Sequence, residues 1–126
     1  MAIEGLKYTE SDEWIKEKGD SIVRVGITDH AQSELGDIVY VDLPEVGDEI
    51  SKGEDVAEIE SVKAVAEVKA PISGKIVAIN EDLMEDPALL NEEPFEGGWI
   101  FELEMSNSDE LDELMDSEEY EAKLEE

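Results

Sequence analysis

The stretch 50–76 constrains the fold more than any other part of this sequence. Within it, two short runs rich in β-branched residues, Val56–Glu60 and Val65–Val68, flank the four residues 61–64. Runs of this length and composition, separated by so short a connection, are typical of two antiparallel strands joined by a tight turn. They predict a β-hairpin whose tip carries a single lysine, Lys63.

Lys63 also lies at the midpoint of this stretch. It is 13 positions from Ile50 on one side and 13 positions from Ile76 on the other. A turn dipeptide stands at a similar distance on each side, Lys52-Gly53 before the hairpin and Ser73-Gly74 after it. The spacing predicts two quasi-symmetric strand-turn-strand halves that are joined at the hairpin.

Most of the remaining chain is typical of short strands. We expect them at Lys7-Tyr8, Trp14–Lys16, Ile22–Ile27, Asp37–Leu43, Glu49-Ile50, Lys75–Ile79 and Trp99–Leu103. The alternation in the fourth of these segments places Ile38, Tyr40 and Asp42 on one face and the residues between them on the other. The pattern therefore predicts a mostly β fold.

Helices are predicted to be short. A helix is expected over Asp29–Leu35, with Thr28 as its N-cap and Gly36 in its C-terminal stop position. Glu81–Asp86 is expected to be an acidic loop, followed by a helical turn that has Pro87 at its first position.

The C-terminal part is predicted to be a helical segment of about 107–125. Ser108 is expected to cap its first helix, and Ser117 is expected to cap the second. Their apolar residues recur at helical spacing and form a narrow stripe suited to packing on the β core. With 126 residues and no linker or low-complexity block, the chain is expected to form one domain, 1–126.

The charge of the chain excludes several classes of function. Thirty-seven acidic residues against nine basic ones give a net charge of −28. Nucleic-acid backbones require a basic face, so no nucleic-acid partner is expected. Anionic lipid is disfavoured for the same reason, and no apolar run reaches the roughly 20 residues of a membrane span. The acidity fits either an ordinary soluble surface or an adaptation to high salt or partner steering.

Intrinsic catalysis is also disfavoured. The chain has no cysteine, so it has no thiolate nucleophile and no thiolate metal site. His30 is the only imidazole, and no Gly-x-Ser-x-Gly motif or calcium-binding loop is present. Gly47, Gly53 and Gly74 stand singly in turns and make no phosphate-binding loop. We therefore expect a protein that is not an enzyme and holds no metal.

A known family matches the hairpin and its surroundings. The segment Glu60-Ser61-Val62-Lys63-Ala64, followed by Pro71-Ile72-Ser73-Gly74, closely resembles the lipoylation site of the H protein of the glycine cleavage system. Biotin carriers usually bracket their lysine with methionines, whereas this chain has Val62 and Ala64. Similar segments continue outside the hairpin: Tyr8–Trp14, Val25–Gln32, Leu35–Val39, Leu43–Gly47, Leu89–Asn91 and Gly98-Trp99.

The resemblance implies a fold, a cofactor and a set of partners. The fold would be a flattened β barrel-sandwich hybrid of the lipoyl/biotinyl type, with short added helices. Lys63 would carry lipoate as N6-lipoyllysine. The carrier would shuttle the aminomethyl group of glycine from the pyridoxal-phosphate enzyme glycine decarboxylase to aminomethyltransferase. Dihydrolipoamide dehydrogenase would reoxidise the arm, and a lipoate ligase or lipoyl transferase would attach it.

The resemblance also implies contacts for the arm. The positions that match the family's arm-binding region are Ser11, Glu13 and Glu67, with Asp12 standing where the family commonly has histidine. Carboxylates there would pair with the ammonium of the loaded arm and limit its exposure to water. The alternative is that these residues are ordinary surface or capping groups.

Glu60 and Ser61 have two interpretations. A ligase that recognises a folded hairpin would contact residues just before the lysine, and these two are placed for that role. The alternative is that they only solvate the neighbouring strands.

Two rival functions remain open at this point. In a lipoyl relay protein, the same hairpin would hold lipoate only for onward transfer. In an unmodified acidic interaction module, Lys63 would have no role.

We expect a monomer located in the cytoplasm, or in the mitochondrial matrix if the sequence is a processed eukaryotic chain.

Overall fold

The computed structural model describes residues 6–124, which form nine strands, four α-helices and one 3-10 helix. The strands are β1 Lys7–Tyr8, β2 Glu13–Gly19, β3 Ile22–Ile27, β4 Ile38–Asp42, β5 Glu49–Ile50, β6 Asp55–Ser61, β7 Val65–Lys69, β8 Gly74–Ile79 and β9 Phe101–Met105. The helices are α1 Asp29–Leu35, α2 Asp82–Glu85, α3 Leu89–Glu92, the 3-10 helix Ser108–Glu113 and α4 Ser117–Leu124. The prediction of a mostly β fold with short helices is confirmed.

The strands form two antiparallel sheets. The larger has six strands in the order β1-β2-β3-β9-β8-β5, and the smaller has three in the order β4-β6-β7. The hairpin is the β6–β7 pair, so the lysine at its tip belongs to the smaller sheet. The two sheets do not close into a barrel, and their arrangement agrees with the predicted flattened barrel-sandwich.

The strand register shows the predicted quasi-symmetry about the hairpin tip. Within the smaller sheet, Asp55 of β6 pairs with Lys69 of β7. Further from the tip, Glu49 of β5 pairs with Lys75 of β8 in the larger sheet. The two partners of each pair are about equally far from the tip along the chain. The hairpin therefore continues outward into both sheets.

One apolar core lies between the sheets. Its members from the larger sheet include Val25, Ile76 and Leu103, and those from the smaller sheet include Ile59 and Val68. All five side chains are almost completely buried. Burying one such side chain contributes roughly 1.5–3 kcal/mol relative to leaving it exposed. This shared core is what holds the hairpin against the rest of the molecule.

A smaller aromatic cluster attaches the C-terminal helix. Tyr8 of β1 and Tyr120 of α4 stack with ring centroids 4.6 Å apart and planes 9° apart. Trp14 of β2 is buried beside them, and its indole N–H donates a hydrogen bond of 2.7 Å to the carbonyl oxygen of Pro94. The cluster confirms that the C-terminal helical segment packs on the β core. Residue 125, at the predicted end of that segment, lies outside the described residues.

The predicted alternation along the fourth strand is wrong. Ile38 and Val41 are the buried side chains of β4, whereas Val39 and Tyr40 are both half exposed. The register with β6 shifts between Ile38 and Tyr40, which marks a β-bulge. A bulge inserts one extra residue on one strand, so two successive side chains face the solvent and the core positions become three residues apart.

The predicted acidic loop over Glu81–Asp86 is partly wrong, because its centre is the helical turn α2. Leu83 is completely buried, and the backbone winds into one turn to bring it to the core. The Asn80 side-chain oxygen accepts a hydrogen bond of 3.2 Å from the amide of Asp82, which starts this turn. The next helix, α3, begins two residues after Pro87 rather than at it.

The predicted caps of the C-terminal helices are each shifted by one residue. Asn107, not Ser108, caps the 3-10 helix by accepting a hydrogen bond of 3.1 Å from the amide of Asp109. Asp116, not Ser117, caps α4: its side chain accepts from the amide of Glu119 at 2.9 Å, and the Glu119 carboxylate accepts from the Asp116 amide at 3.1 Å. This reciprocal pair is a capping box. Ser117 could not form one, because the residue three positions after it is Tyr120, which has no carboxylate or amide to reach back to the cap.

Candidate functional site

The hairpin tip is closed by the side chain of one residue. The hydroxyl oxygen of Ser61 accepts hydrogen bonds from the backbone amides of Lys63 at 3.3 Å and Ala64 at 3.0 Å. The Ser61 amide donates to the carbonyl oxygen of Ala64 at 2.8 Å. Ser61 therefore stabilises the turn through hydrogen bonds to the backbone amides within it. Its neighbour Glu60 belongs to β6, where it pairs with Val65.

Lys63 protrudes from this turn. The side chains of Val62, Lys63 and Ala64 are all exposed, and no ion pair involves the Lys63 amine within residues 6–124. A tight turn fixes the backbone of the lysine, and its side chain is exposed at the end of the hairpin. This arrangement suits covalent attachment of a long arm, because an enzyme can reach the amine without unfolding the hairpin.

The tip is also tied to the segment that follows α1. The amide of Val62 donates a hydrogen bond of 3.0 Å to the carbonyl oxygen of Asp37. The aliphatic stem of Lys63 lies against Gly36, so close that a Cβ added there would be 3.5 Å from Cε of the lysine. The sequence predicts Gly36 as a helix stop and Asp37 as the start of a strand, and it carries no signal that either residue contacts the hairpin tip.

Glu13, a predicted arm contact, is buried at the start of β2 and is only 1% exposed. Its Oε1 atom accepts hydrogen bonds from the hydroxyls of Thr9 at 2.6 Å and Ser11 at 2.8 Å. Its Oε2 atom accepts one of 3.2 Å from the amide of Lys69 on β7. Burial raises the pKa of Glu13, and the two hydroxyl donors and the amide oppose that rise. The carboxyl group thus holds a loop and a strand together.

Ser11 and Lys69, two of the groups that hold Glu13, line an open cleft of about 280 Å³. Ser11 itself is exposed. Glu67, the third predicted arm contact, is an exposed residue of β7 in the other sheet. The structure therefore brings Ser11 and Glu13 into direct contact and places Glu67 on a neighbouring surface. The other residues lining the cleft are Tyr8, Thr9, Glu10, Lys52, Gly53, Ala70, Pro71, Glu113, Leu114 and Met115.

Asp12, the position at which the family commonly has histidine, is engaged with the C-terminal helix. Its backbone has a positive φ of 68°, and its carboxylate accepts a hydrogen bond of 2.8 Å from the hydroxyl of Tyr120. The same hydroxyl lies 2.7 Å from that of Thr28, and Lys123 lies 3.6 Å from the carboxylate. Burial raises the pKa of Tyr120. The aspartate fixes the loop before β2 onto α4.

The outer face of the smaller sheet is strongly acidic. Glu58 of β6 pairs with Glu67 of β7, so the two like charges face each other across the strands. The charge of Glu67 raises the pKa of Glu58, and Glu60 and Asp42 add to that effect. Lys69, whose pKa is raised by its 2.8 Å contact with Asp55, is the nearby cation. A partner that covers this face needs basic groups of its own.

Among residues 6–124, no group of three or more acidic or histidine side chains is placed to hold a metal ion. His30 is a partly buried residue of α1, and its Nε2 atom lies 3.9 Å from the carboxylate of Glu34. Over the same range, no helix is long and apolar enough to cross a bilayer.

Two sheets that share a core, with an exposed lysine on a tight hairpin, define a carrier-type domain of lipoyl/biotinyl architecture. The sequence model of the family described as Glycine cleavage H-protein matches residues 6–126. The chain belongs to this family, and it is a carrier protein rather than a catalyst.

Comparison with individual glycine cleavage system H proteins also supports membership of this family. The chain is 54% identical to the glycine cleavage system H protein of Vibrio atlanticus and 50% identical to that of Vibrio parahaemolyticus, each over 121 residues and 96% of both chains. It is also similar to the crystal structure of a glycine cleavage system H protein from Mycobacterium marinum. That match has a TM-score of 0.89 at 36% identity and covers 99% of this chain and 100% of the other.

Proposed function

We propose that this chain is the lipoyl carrier of a glycine cleavage system, with lipoate joined in amide linkage to Nζ of Lys63. The observation that carries the proposal is the exposed lysine on a turn closed by Ser61, in a chain of this family. The residues present fit the cofactor, because the amine is free of ion pairs within the described residues and the surrounding side chains leave it open.

The carrier would connect three enzymes. Its attached lipoate supplies a disulfide that can take up the aminomethyl group of glycine at glycine decarboxylase and release it at aminomethyltransferase. The carrier would then present its reduced arm to dihydrolipoamide dehydrogenase for reoxidation. A lipoate ligase or lipoyl transferase attaches the arm. The hairpin keeps the attachment point rigid, so that only the arm moves between partners. We further propose that the protein acts as a monomeric single domain in the cytoplasm.

The proposed arm contacts have different roles in this scheme. Ser11 is exposed at the cleft, and its hydroxyl, which donates its proton to Glu13, can still accept a hydrogen bond from a polar arm end. Glu13 is already hydrogen-bonded through both oxygens, so it acts by holding Ser11 and Lys69 in place at the cleft wall. Glu67 supplies negative charge on the adjoining sheet face. A positively charged arm end would be favoured by the two carboxylates together.

Glu60 is proposed as a contact for the ligase, and Ser61 as the group that presents the lysine to it. Glu60 lies on the acidic face beside the tip, where a basic enzyme surface would meet it. Ser61 instead directs its hydroxyl into the turn, toward the amides of Lys63 and Ala64.

Glycine-dependent loading tests the proposal. The lipoylated chain is incubated with glycine decarboxylase and glycine labelled in the carboxyl carbon, and released carbon dioxide and the mass of the carrier are followed. We expect carbon dioxide release together with a mass gain on the lipoylated peptide, and neither with Lys63→Arg. A chain that is lipoylated but never loaded from glycine would contradict the proposal and favour a lipoyl relay protein.

A further inference from the structure

Gly36 and Asp37, the two residues between α1 and β4, form a support beneath the hairpin tip. Two of its backbone groups face the tip: the carbonyl oxygen of Asp37 accepts from the Val62 amide at 3.0 Å, and Gly36 lies against the stem of Lys63. The turn's own hydrogen bonds fix its internal shape. The support fixes where that turn sits relative to the rest of the protein.

The support depends on a glycine conformation. Gly36 has φ 80° and ψ −155°, a region of backbone conformation that is essentially restricted to glycine. Its amide caps α1 by donating to the carbonyl oxygen of Gln32 at 3.0 Å. With this conformation the chain leaves the helix sharply, and bare backbone, without a side chain, faces the lysine.

One side chain from α3 holds both sides of this segment. The amide nitrogen of Asn91 donates to the carbonyl oxygen of Gly36 at 2.8 Å and to the side-chain oxygen of Gln32 at 3.0 Å. Its amide oxygen accepts from the backbone amide of Ile38 at 2.9 Å. The residue that bonds to the hairpin, Asp37, lies between these two anchored neighbours. Asn91 thus uses both donors and its acceptor oxygen on the support.

We infer that Asn91 is a positioning residue for acylation of Lys63: by fixing the Gly36–Ile38 backbone, it sets how the lysine amine enters the enzyme that attaches the arm. The inference rests on the proposed function of Lys63. In that reaction the amine nitrogen attacks the acyl carbon of an acyl adenylate, adenosine monophosphate leaves, and the amine loses a proton. Attack requires a defined approach of the amine, and small misplacements lower the rate steeply.

Steady-state acylation kinetics test this role. Apo-protein is varied as the substrate of a lipoate ligase at saturating lipoate and ATP, with Asn91→Ala compared to wild type. We expect kcat to fall about 10-fold while KM for the carrier changes less than about 3-fold, because the docking surface is intact and the amine is displaced. The matched control is Asn107→Ala, which removes an exposed capping asparagine of the 3-10 helix. Its kinetics are expected to equal those of wild type.

Amide hydrogen exchange separates positioning from general loss of structure. In Asn91→Ala the Val62 amide, bonded to Asp37, is expected to exchange faster, whereas the Lys69 amide, bonded to Glu13, keeps its wild-type rate. If Asn91→Ala does not fold, Asn91→Asp replaces it, since this variant keeps the acceptor for Ile38 and removes the donors to Gly36 and Gln32.

The outcomes distinguish the inference from the proposed function. A wild-type chain that the ligase does not acylate overturns the proposed function, and this inference falls with it. A wild-type chain that is acylated, with an Asn91 variant of equal kcat, overturns only the role of Asn91. A lowered kcat with an unchanged Val62 exchange rate also contradicts it, because the support would then not be the route of the effect.

Discussion

The Glu13 carboxylate accepts a hydrogen bond of 3.2 Å from the backbone amide of Lys69, which joins β2 of the larger sheet to β7 of the smaller one. β7 is the strand that leaves the hairpin tip, so the contact links the loop before β2 to the strand that follows the lysine. The hydroxyls of Thr9 and Ser11 donate the other two hydrogen bonds to this carboxylate. A buried carboxyl group with three donors therefore anchors one side of the cleft.

The burial of Glu13 predicts a pH dependence of stability. Its pKa is raised above the ordinary value of 4.5, mainly because burial disfavours the charged form. The folded protein thus binds this proton more tightly than the unfolded chain. The contribution of Glu13 to the free energy of unfolding is therefore fully present below pH 4.5 and decreases as the pH rises through the raised folded pKa.

Two measurements check this behaviour. Carbon-13 NMR should show the Glu13 carboxyl titrating with a midpoint above 4.5. The difference in the free energy of unfolding between wild type and Glu13→Gln should change with pH over the same interval. A Glu13 carboxyl that titrates at or below the ordinary value would show that the donors, rather than burial, dominate its environment.

Tyr120→Phe is expected to destabilise the fold by about 1–3 kcal/mol. The substitution removes the hydroxyl that lies 2.7 Å from Thr28 and donates to Asp12, and it leaves those groups short of a partner. Urea denaturation measures the loss. Tyr40→Phe is the control, because its ring is half exposed and its change is expected to stay within about 0.5 kcal/mol. Equal effects of the two substitutions would contradict the assigned network.

Gly26→Ala is expected to destabilise the protein by about 1–3 kcal/mol through overpacking. An added Cβ would lie 2.7 Å from two atoms of the Trp14 indole, which is buried and held by its bond to Pro94. Because the ring is completely buried, it cannot move aside without disturbing its neighbours. We therefore expect the fluorescence of Trp14 to change as well. Gly97→Ala is the control, since its Cβ meets the flexible end of Glu93. A stable Gly26→Ala variant would show that the indole can move.

Added salt is expected to raise the melting temperature. The net charge is −28, and Glu58 faces Glu67 directly across the smaller sheet. Raising potassium chloride from about 0.1 M to about 1 M shortens the screening length from about 10 Å to about 3 Å, which weakens this repulsion in the folded state. Chloride is preferred to sulfate, because sulfate also strengthens apolar burial. A melting temperature that is unchanged or lower would mean that charge repulsion does not limit stability.

The β elements were predictable because their signal is local. β-branched runs separated by turn residues predict most of the longer strands, and the hairpin follows from the short gap of three residues between β6 and β7. The bulge in β4 was not predictable from the alternating pattern, because it depends on the pairing of that strand with β6. The caps at Asn107 and Asp116 compete with adjacent serines, and only the observed hydrogen bonds decide between such neighbours.

The candidate site also contains some residues whose role was predictable from the sequence and others whose role was not. Lys63 was identified from its place at the centre of a quasi-symmetric unit and from the family motif around it. The closed environment of Glu13 was not predictable, because it depends on Lys69, which lies 56 positions away. The same holds for Asn91, whose partners Gly36 and Ile38 come from a distant part of the chain. Contacts of this kind arise only when the sheets pack.

The most direct test of the central claim is intact mass measurement with peptide mapping, after incubation of the apo-protein with a lipoate ligase, lipoate and ATP. We predict a single lipoyl adduct, located on Lys63, and none on the folded Lys63→Arg variant. Lys75→Arg, which changes another exposed lysine, should be modified like wild type. Folded wild-type protein that gains no adduct, or gains it on a different lysine, would contradict the assignment of Lys63 as the attachment site.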